Sequence, residues 1–111
     1  MADLTAYGNS GNLNGVTHVE LVPAPTGLTF RMVRALYINH TDAVTVTIHI
    51  GKKVGASTYQ IHSQLMLQGY TLEFGDGDMI VCGAGESIEA WLDSAPSTQP
   101  AFVVSWGDKT P

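Results

Sequence analysis

Charge is what this sequence most lacks. Asp, Glu, Lys and Arg make up 14% of its 111 residues, against about 25% in typical soluble domains. A deficit of that size implies a surface covered in large part by other protein rather than by water. The five basic residues are outnumbered by ten acidic ones, giving a net charge of −5. Phosphate neutralisation needs clustered Lys and Arg. The close basic groupings are only Arg31/Arg34 and Lys52/Lys53, so direct nucleic-acid binding is not expected. A single cysteine, Cys82, excludes an intrachain disulfide and a cysteine-rich zinc site. It lies in the apolar run MIVC as a small buried hydrophobe, and fits synthesis in a reducing compartment. No apolar run approaches membrane-spanning length. The opening MADLTAYGNSGNLNG has neither the basic nor the apolar region of a signal peptide, so neither export nor a membrane partner is expected.

Chemical motifs are equally scarce. His18, His40, His49 and His62 are scattered over different elements, with no His-x-His or HExxH pair among them. No GxSxG nucleophile motif occurs. GDGD at 75–78 lacks the further ligands of a calcium loop and reads as a tight hairpin turn. GAGE at 83–86 has no helix after it to bind an anion, and also reads as a turn. INHTD places His40 and Asp42 in a turn for backbone reasons. Asn39-His40-Thr41 is formally a glycosylation sequon, of little weight without a signal peptide. No catalytic residue, metal ligand or cofactor is therefore expected, and the chain is not expected to be an enzyme.

What is present is β-patterning. In AVTVTIHIG (43–51), Val44, Val46, Ile48 and Ile50 alternate with Thr45, Thr47 and His49, the signature of a strand with one face in a core. Further runs of this kind are THVELVP (17–23), LTFRMVRALYIN (28–39), STYQIHSQLM (57–66), YTLEF (70–74), DMIVC (78–82), ESIEAWLD (86–93) and AFVVSW (101–106). Turn residues fill each gap, KKVGA among them. No window carries a capped helical stripe. About eight short strands, closely spaced, predict a single-domain antiparallel β-sandwich over 16–111, jelly-roll-like in strand number. Residues 1–15, rich in Gly, Asn and Ser, are expected as an extended arm anchored by Leu4, Tyr7 and Leu13.

Alternation also assigns faces. It sends Thr45, Thr47, His49, Gln60, His62, Gln64, Trp91 and Val103 outward, and groups Tyr59, Ile61, Ser63 and Leu65 on the opposite face of their strand. In the long second run Arg34 falls in the apolar series of Phe30, Met32, Leu36 and Ile38. A bulge there, or a strand crossing between sheets, would carry its charge to the surface. Neutral outer faces with an aromatic suit contact with another protein. The candidate partner-binding residues are accordingly Leu4, Tyr7, Leu13, Thr45, Thr47, His49 and Trp91.

The stretch GVTHVELVPAPTGLTFRMVRALYINHTDAVTVTIHIG, followed by LMLQGYTLEF and GDGDMIVCGAGESIEAWL, resembles small β-sandwich structural proteins of tailed bacteriophage particles. The resemblance spans about residues 15–106 and is one of strand and turn order. It implies a virion component: a decoration (cement) protein on the outer capsid surface, made in the host cytoplasm, or a head–tail or tail subunit. The partners implied are the major capsid protein and sister subunits in a homotrimer or other ring. An arm that orders on a neighbour fits such a role. Two further possibilities come from the residues themselves. One is a carbohydrate-binding sandwich stacking sugars on Trp91, Tyr59 or Tyr37. The other is a cupin-like metalloprotein, which needs inward-facing ligands.

Overall fold

The computed structural model describes residues 5–75 and 80–110. Strands form where the alternation places them, with one more at the start: β1 (Thr5–Asn12), β2 (Val19–Val22), β3 (Phe30–Asn39), β4 (Val46–Val54), β5 (Ser57–Met66), β6 (Thr71–Phe74), β7 (Ile80–Cys82), β8 (Glu86–Leu92) and β9 (Ala101–Lys109). The run KKVGA, expected as a turn, mostly continues β4. Val54 pairs with Ser57, so the connection shrinks to Gly55-Ala56. Gly55 takes a φ of 62°, the left-handed conformation that tight two-residue hairpins give to glycine.

The topology is one long hairpin folded at that turn. Its arms pair outward from the closed end, all antiparallel: β4 with β5, β3 with β6 and β7, β2 with β8, and β1 with β9. Rolling the hairpin up lays β9 beside β3 and β8 beside β4. Two sheets result, β1-β9-β3-β6 with β7 also on β3, and β2-β8-β4-β5. With β6 and β7 taken as one interrupted strand, this is an eight-stranded jelly roll. The core between the sheets holds Leu36, Ile38, Val104 and Trp106 from one side and Ile48, Ile50, Ile88 and Leu92 from the other.

Residues 1–15 do not stand apart as an arm over their described part. Residues 5–12 form β1, in unbroken register with β9 from Thr5↔Asp108 to Asn12↔Ala101. Composition gave no hint of this, because Gly, Asn and Ser are poor strand formers. The partner strand decides it. Asn9 donates its side-chain amide to the carbonyl of Leu21 in the opposite sheet (3.1 Å). Leu13 then inserts into the core, 1% exposed, with its N–H on the carbonyl of Pro100 (2.9 Å).

Three strands change phase: β2 against β8 between Glu20 and Val22, and β3 and β5 midway along their length. The register of β3 against β9 shifts between Val33 and Ala35, so Arg34 is an extra residue exposed to solvent, as a bulge predicts. Before it Val33 takes the core position and Phe30 is exposed, which reverses the side that simple alternation gives Phe30. In β5 the shift against β4 falls at Ile61, between Ile50↔His62 and Gly51↔Gln60. From His62 to Met66 the sequence-based faces are inverted, whereas Gln60, opposite outward Gly51, keeps its expected side. Met66 pairs with inward Val46, and Leu65 with outward Thr47. His62 and Gln64 therefore face the inner side, His62 edge-on to Phe74 with ring centroids 5.0 Å apart. Tyr59, Ile61 and Leu65 are exposed.

Candidate functional site

The outer face of β2-β8-β4-β5 carries three of the seven residues expected to meet a partner: Thr47, His49 and Trp91. At its centre Trp91 of β8 lies flat over Gly51 of β4. A Cβ at Gly51 would come within 2.8 Å of the indole Cζ3, so the close approach needs a residue with no side chain. His18 stacks on the indole with centroids 4.0 Å apart and planes 8° from parallel. His49, on β4 directly opposite Trp91, stacks at 5.5 Å and 22°. The Nδ1 of His49 is buried and has no hydrogen-bond partner among the described residues.

One buried charge sits beside this stack. Glu89 is 7% exposed, although it lies on the outward side of β8. Its Oε1 accepts from the Thr58 hydroxyl (2.7 Å) and lies 2.7 Å from His18 Nδ1. Burial by itself pushes the Glu89 carboxyl up. The hydrogen bonds from Thr58 and His18, with the charges of His18 and Lys53, outweigh it and hold the group below the usual carboxylate range. The chain leading to His18 is tied down at Gly15. Gly15 donates to Gln99 Oε1 (2.7 Å), and the Leu92 N–H donates to the Gly15 carbonyl (2.9 Å).

What this arrangement does is hold the tryptophan down. Trp91 is half-buried between two histidines, and the carboxylate that fixes His18 is itself covered. Among the described residues no three His, Cys, Asp or Glu side chains converge as metal ligands. His40 is a loop fastener: fully buried, with Nε2 2.6 Å from the Val44 carbonyl. Asp42 caps the same turn, accepting from the N–H groups of Val44 (2.8 Å) and Thr98 (2.9 Å). These bonds hold its carboxyl below the usual range. In GAGE, Glu86 accepts from the Gly83 N–H (2.7 Å), closing the turn read from the sequence. The GDGD stretch lies, apart from Gly75, outside the described residues.

The residues expected to bind partners are therefore dispersed. Leu4 lies outside the described residues. Leu13 is a core residue, a correction to its place on a free arm. Tyr7 is half-exposed, stacked over Trp106 at 6.3 Å. Thr45 is exposed. Thr47 is half-buried and donates its N–H to Asp93 (2.9 Å). His49 and Trp91 belong to the clamp. Trp91, Tyr59 and Tyr37, the aromatics considered for sugar stacking, lie on three different parts of the surface.

The open face is on the other sheet. Ser10, Val103, Tyr37 and Glu73 form one row across β1, β9, β3 and β6. Asn12, Ala101, Asn39 and Thr71 form a second row, and Gly8, Ser105 and Ala35 a third. Glu73 is the one charged residue in the three rows. Val103 and Tyr37, directly paired, are 57% and 45% exposed. Alternation in AFVVSW marks Val103 as outward, but only the strand order shows Tyr37 beside it.

In fold the chain is similar to a protein of Bacillus endospore appendages, which are described as a family of disulfide-linked pili. The TM-score is 0.58 at 10% sequence identity, over 99% of this chain and 90% of the other. At that identity the likeness concerns the fold alone. No family model and no curated protein matches the sequence.

Proposed function

We propose that the protein is a non-enzymatic structural subunit of a large symmetric assembly, and specifically a decoration protein that binds the shell of a tailed-phage capsid and bridges neighbouring capsid subunits. The observation that carries this is the outer face of β1-β9-β3-β6. It is four strands wide, so about 14 Å across, poor in charge apart from Glu73 and the bulged Arg34 beside Ala35, and centred on the exposed Val103–Tyr37 pair. Docking such a face against protein strands almost no ion away from water. The strand-and-turn resemblance to virion β-sandwiches supplies the identity of the assembly. The patch is smaller than the roughly 800 Å² per partner of a stable two-body interface. Retention on a shell then rests on repetition: a subunit held at several points by sister copies multiplies weak contacts.

The endospore appendage protein belongs to pili linked by disulfides. In this chain Cys82 is the sole cysteine and is buried, so that linkage has no counterpart here.

The test is to mix the purified protein with capsids that lack decoration and image them by electron cryomicroscopy. The expected result is ordered density at local symmetry axes, with the β1-β9-β3-β6 face toward the shell. Val103→Lys should abolish it. Folded protein that leaves the shells bare at saturating concentration refutes the proposal.

A further inference from the structure

A jelly roll has four sheet edges, and here three of them are poor docking strands. β2 has four residues and runs into Pro23 and Pro25. β6 and β7 have four and three residues, interrupted between them. β1 has eight residues but presents Gly8, Ser10, Gly11 and Asn12, with little apolar side chain to anchor a partner. The fourth edge differs. β5 runs ten residues without proline or charge, and Tyr59, Ile61 and Leu65 stand 61%, 44% and 60% exposed along it. Natural edge strands of that length are normally blunted by Lys, Pro, a bulge or a covering element; of these β5 carries only the bulge at Ile61.

The absence of charge extends well past the strand. From Val54 to Leu72 there is no Asp, Glu, Lys or Arg, in a chain whose net charge is −5. Lys52, the cation opposite Tyr59, is tied to Glu86 at 3.0 Å. Apart from Lys53, exposed opposite Thr58 at the turn end of the strand, an acidic or basic partner would find no counter-charge on this side. A second copy of the same strand is matched in length and neutrality, and antiparallel pairing of identical edges closes under a two-fold axis. None of the ten acidic residues, which otherwise oppose self-association, lies on the strand itself.

We infer that the β5 edge is a homodimer interface: β5 of one copy pairs antiparallel with β5 of a second, joining the two β2-β8-β4-β5 sheets into one continuous sheet. This goes beyond the docking proposed above and holds whether or not the protein binds a capsid. The shell-facing rows are on the other sheet and remain free in the dimer.

Sedimentation velocity of the full chain tests it, at concentrations up to about 100 μM, which detects dimers with dissociation constants into that range. The wild type should sediment as a dimer. Ile61→Lys and Leu65→Lys should each be monomeric, with unchanged circular dichroism and melting temperature, because both side chains are already in solvent. Val103→Lys should remain a dimer. Amide exchange gives a second readout, with β5 protection falling on dilution in the wild type and independent of concentration in Ile61→Lys. A wild-type monomer at the highest concentration, a trimer or open polymer, or a dimer that survives both lysines would each overturn the inference.

Discussion

Replacing Gly51 by alanine tests the tryptophan clamp through its tightest contact. Gly51 has an ordinary strand conformation, outside the positive-φ glycines. In such a position Gly→Ala usually stabilises by about 0.4–1 kcal/mol, because the unfolded chain loses freedom. Here the new methyl would lie 2.8 Å from both Thr58 Cγ2 and Trp91 Cζ3. Carbon atoms prefer about 3.5–4.0 Å, so the neighbours must give by well over half an ångström. Trp91 has little room to do so, since His18 covers its other face at 4.0 Å and is itself fixed by Glu89. Overpacking of this kind costs about 1–3 kcal/mol, which reverses the sign of the backbone gain. The expected net loss is about 1–2 kcal/mol, or about 5–10 °C in melting temperature for a domain of this size. Thermal and urea unfolding followed by circular dichroism measure it. Thr58→Ser removes one of the three clashing atoms while keeping the hydroxyl on Glu89, so the double variant should recover part of the loss. A Gly51→Ala protein as stable as the wild type, or more stable, would show that Trp91 is free to lift. The clamp would then be wrong, and the tryptophan would again be a candidate for partner contact.

Other consequences are checked by similar means. Glu89 titrates below its ordinary value in the folded state, so its contribution is present above the unfolded pKa and lost as pH falls through the folded one. Urea midpoints measured from about pH 7 to pH 3 should drop less steeply in Glu89→Gln, with the remaining acid sensitivity carried by Asp42 and Glu86, whose carboxyls are also lowered. Burial pushes the Cys82 thiol up to about 11, so a thiol reagent at neutral pH should label it only after unfolding; rapid labelling of native protein would contradict its place in the core. Leu13→Ala should cost about 2–5 kcal/mol in urea unfolding, as a core truncation does, whereas Val103→Lys on the open sheet face should stay within about 0.5 kcal/mol of wild type.

Period-two alternation carried most of the fold to the surface of the sequence. From Val46 onward in AVTVTIHI, and in ESIEAWL, the apolar series fills the core and the other series faces outward, because both strands are central, with a paired neighbour on each side. Arg34 was legible as a bulge because a charge in an apolar series has few other resolutions. β1 was not legible. Its residues carry no pattern of their own, and what holds them is the free edge of β9, a long-range partner that composition does not reveal. β5 misled for the opposite reason. Its pattern is strong, but edge strands have one neighbour, and register against β4 rather than apolarity decides which series turns inward. The outward character of Trp91 was readable. Its cover by His18 was not, since the two residues meet only after the hairpin is rolled.

The rolled hairpin also explains where the scarce charges go. Several of them are spent within the molecule. Arg31 reaches Asp108 at 3.0 Å and the Pro23 carbonyl at 2.6 Å. Lys52 reaches Glu86, and His18 reaches Glu89. Each of these contacts joins one strand to another or to a loop beside it, so each ties the roll together. Two regions remain nearly uncharged: the three rows across β1-β9-β3-β6 and the side built on β5. They lie on different sheets, so occupying one leaves the other free. A charge placed on either would have to be desolvated or paired whenever that surface met protein, at several kcal/mol if left unpaired. Neutral Ser, Thr, Asn and Gln keep a surface wettable before assembly and cheap to cover afterwards. On the proposed assembly, having two such surfaces on one small domain accounts for the low charge of the whole chain.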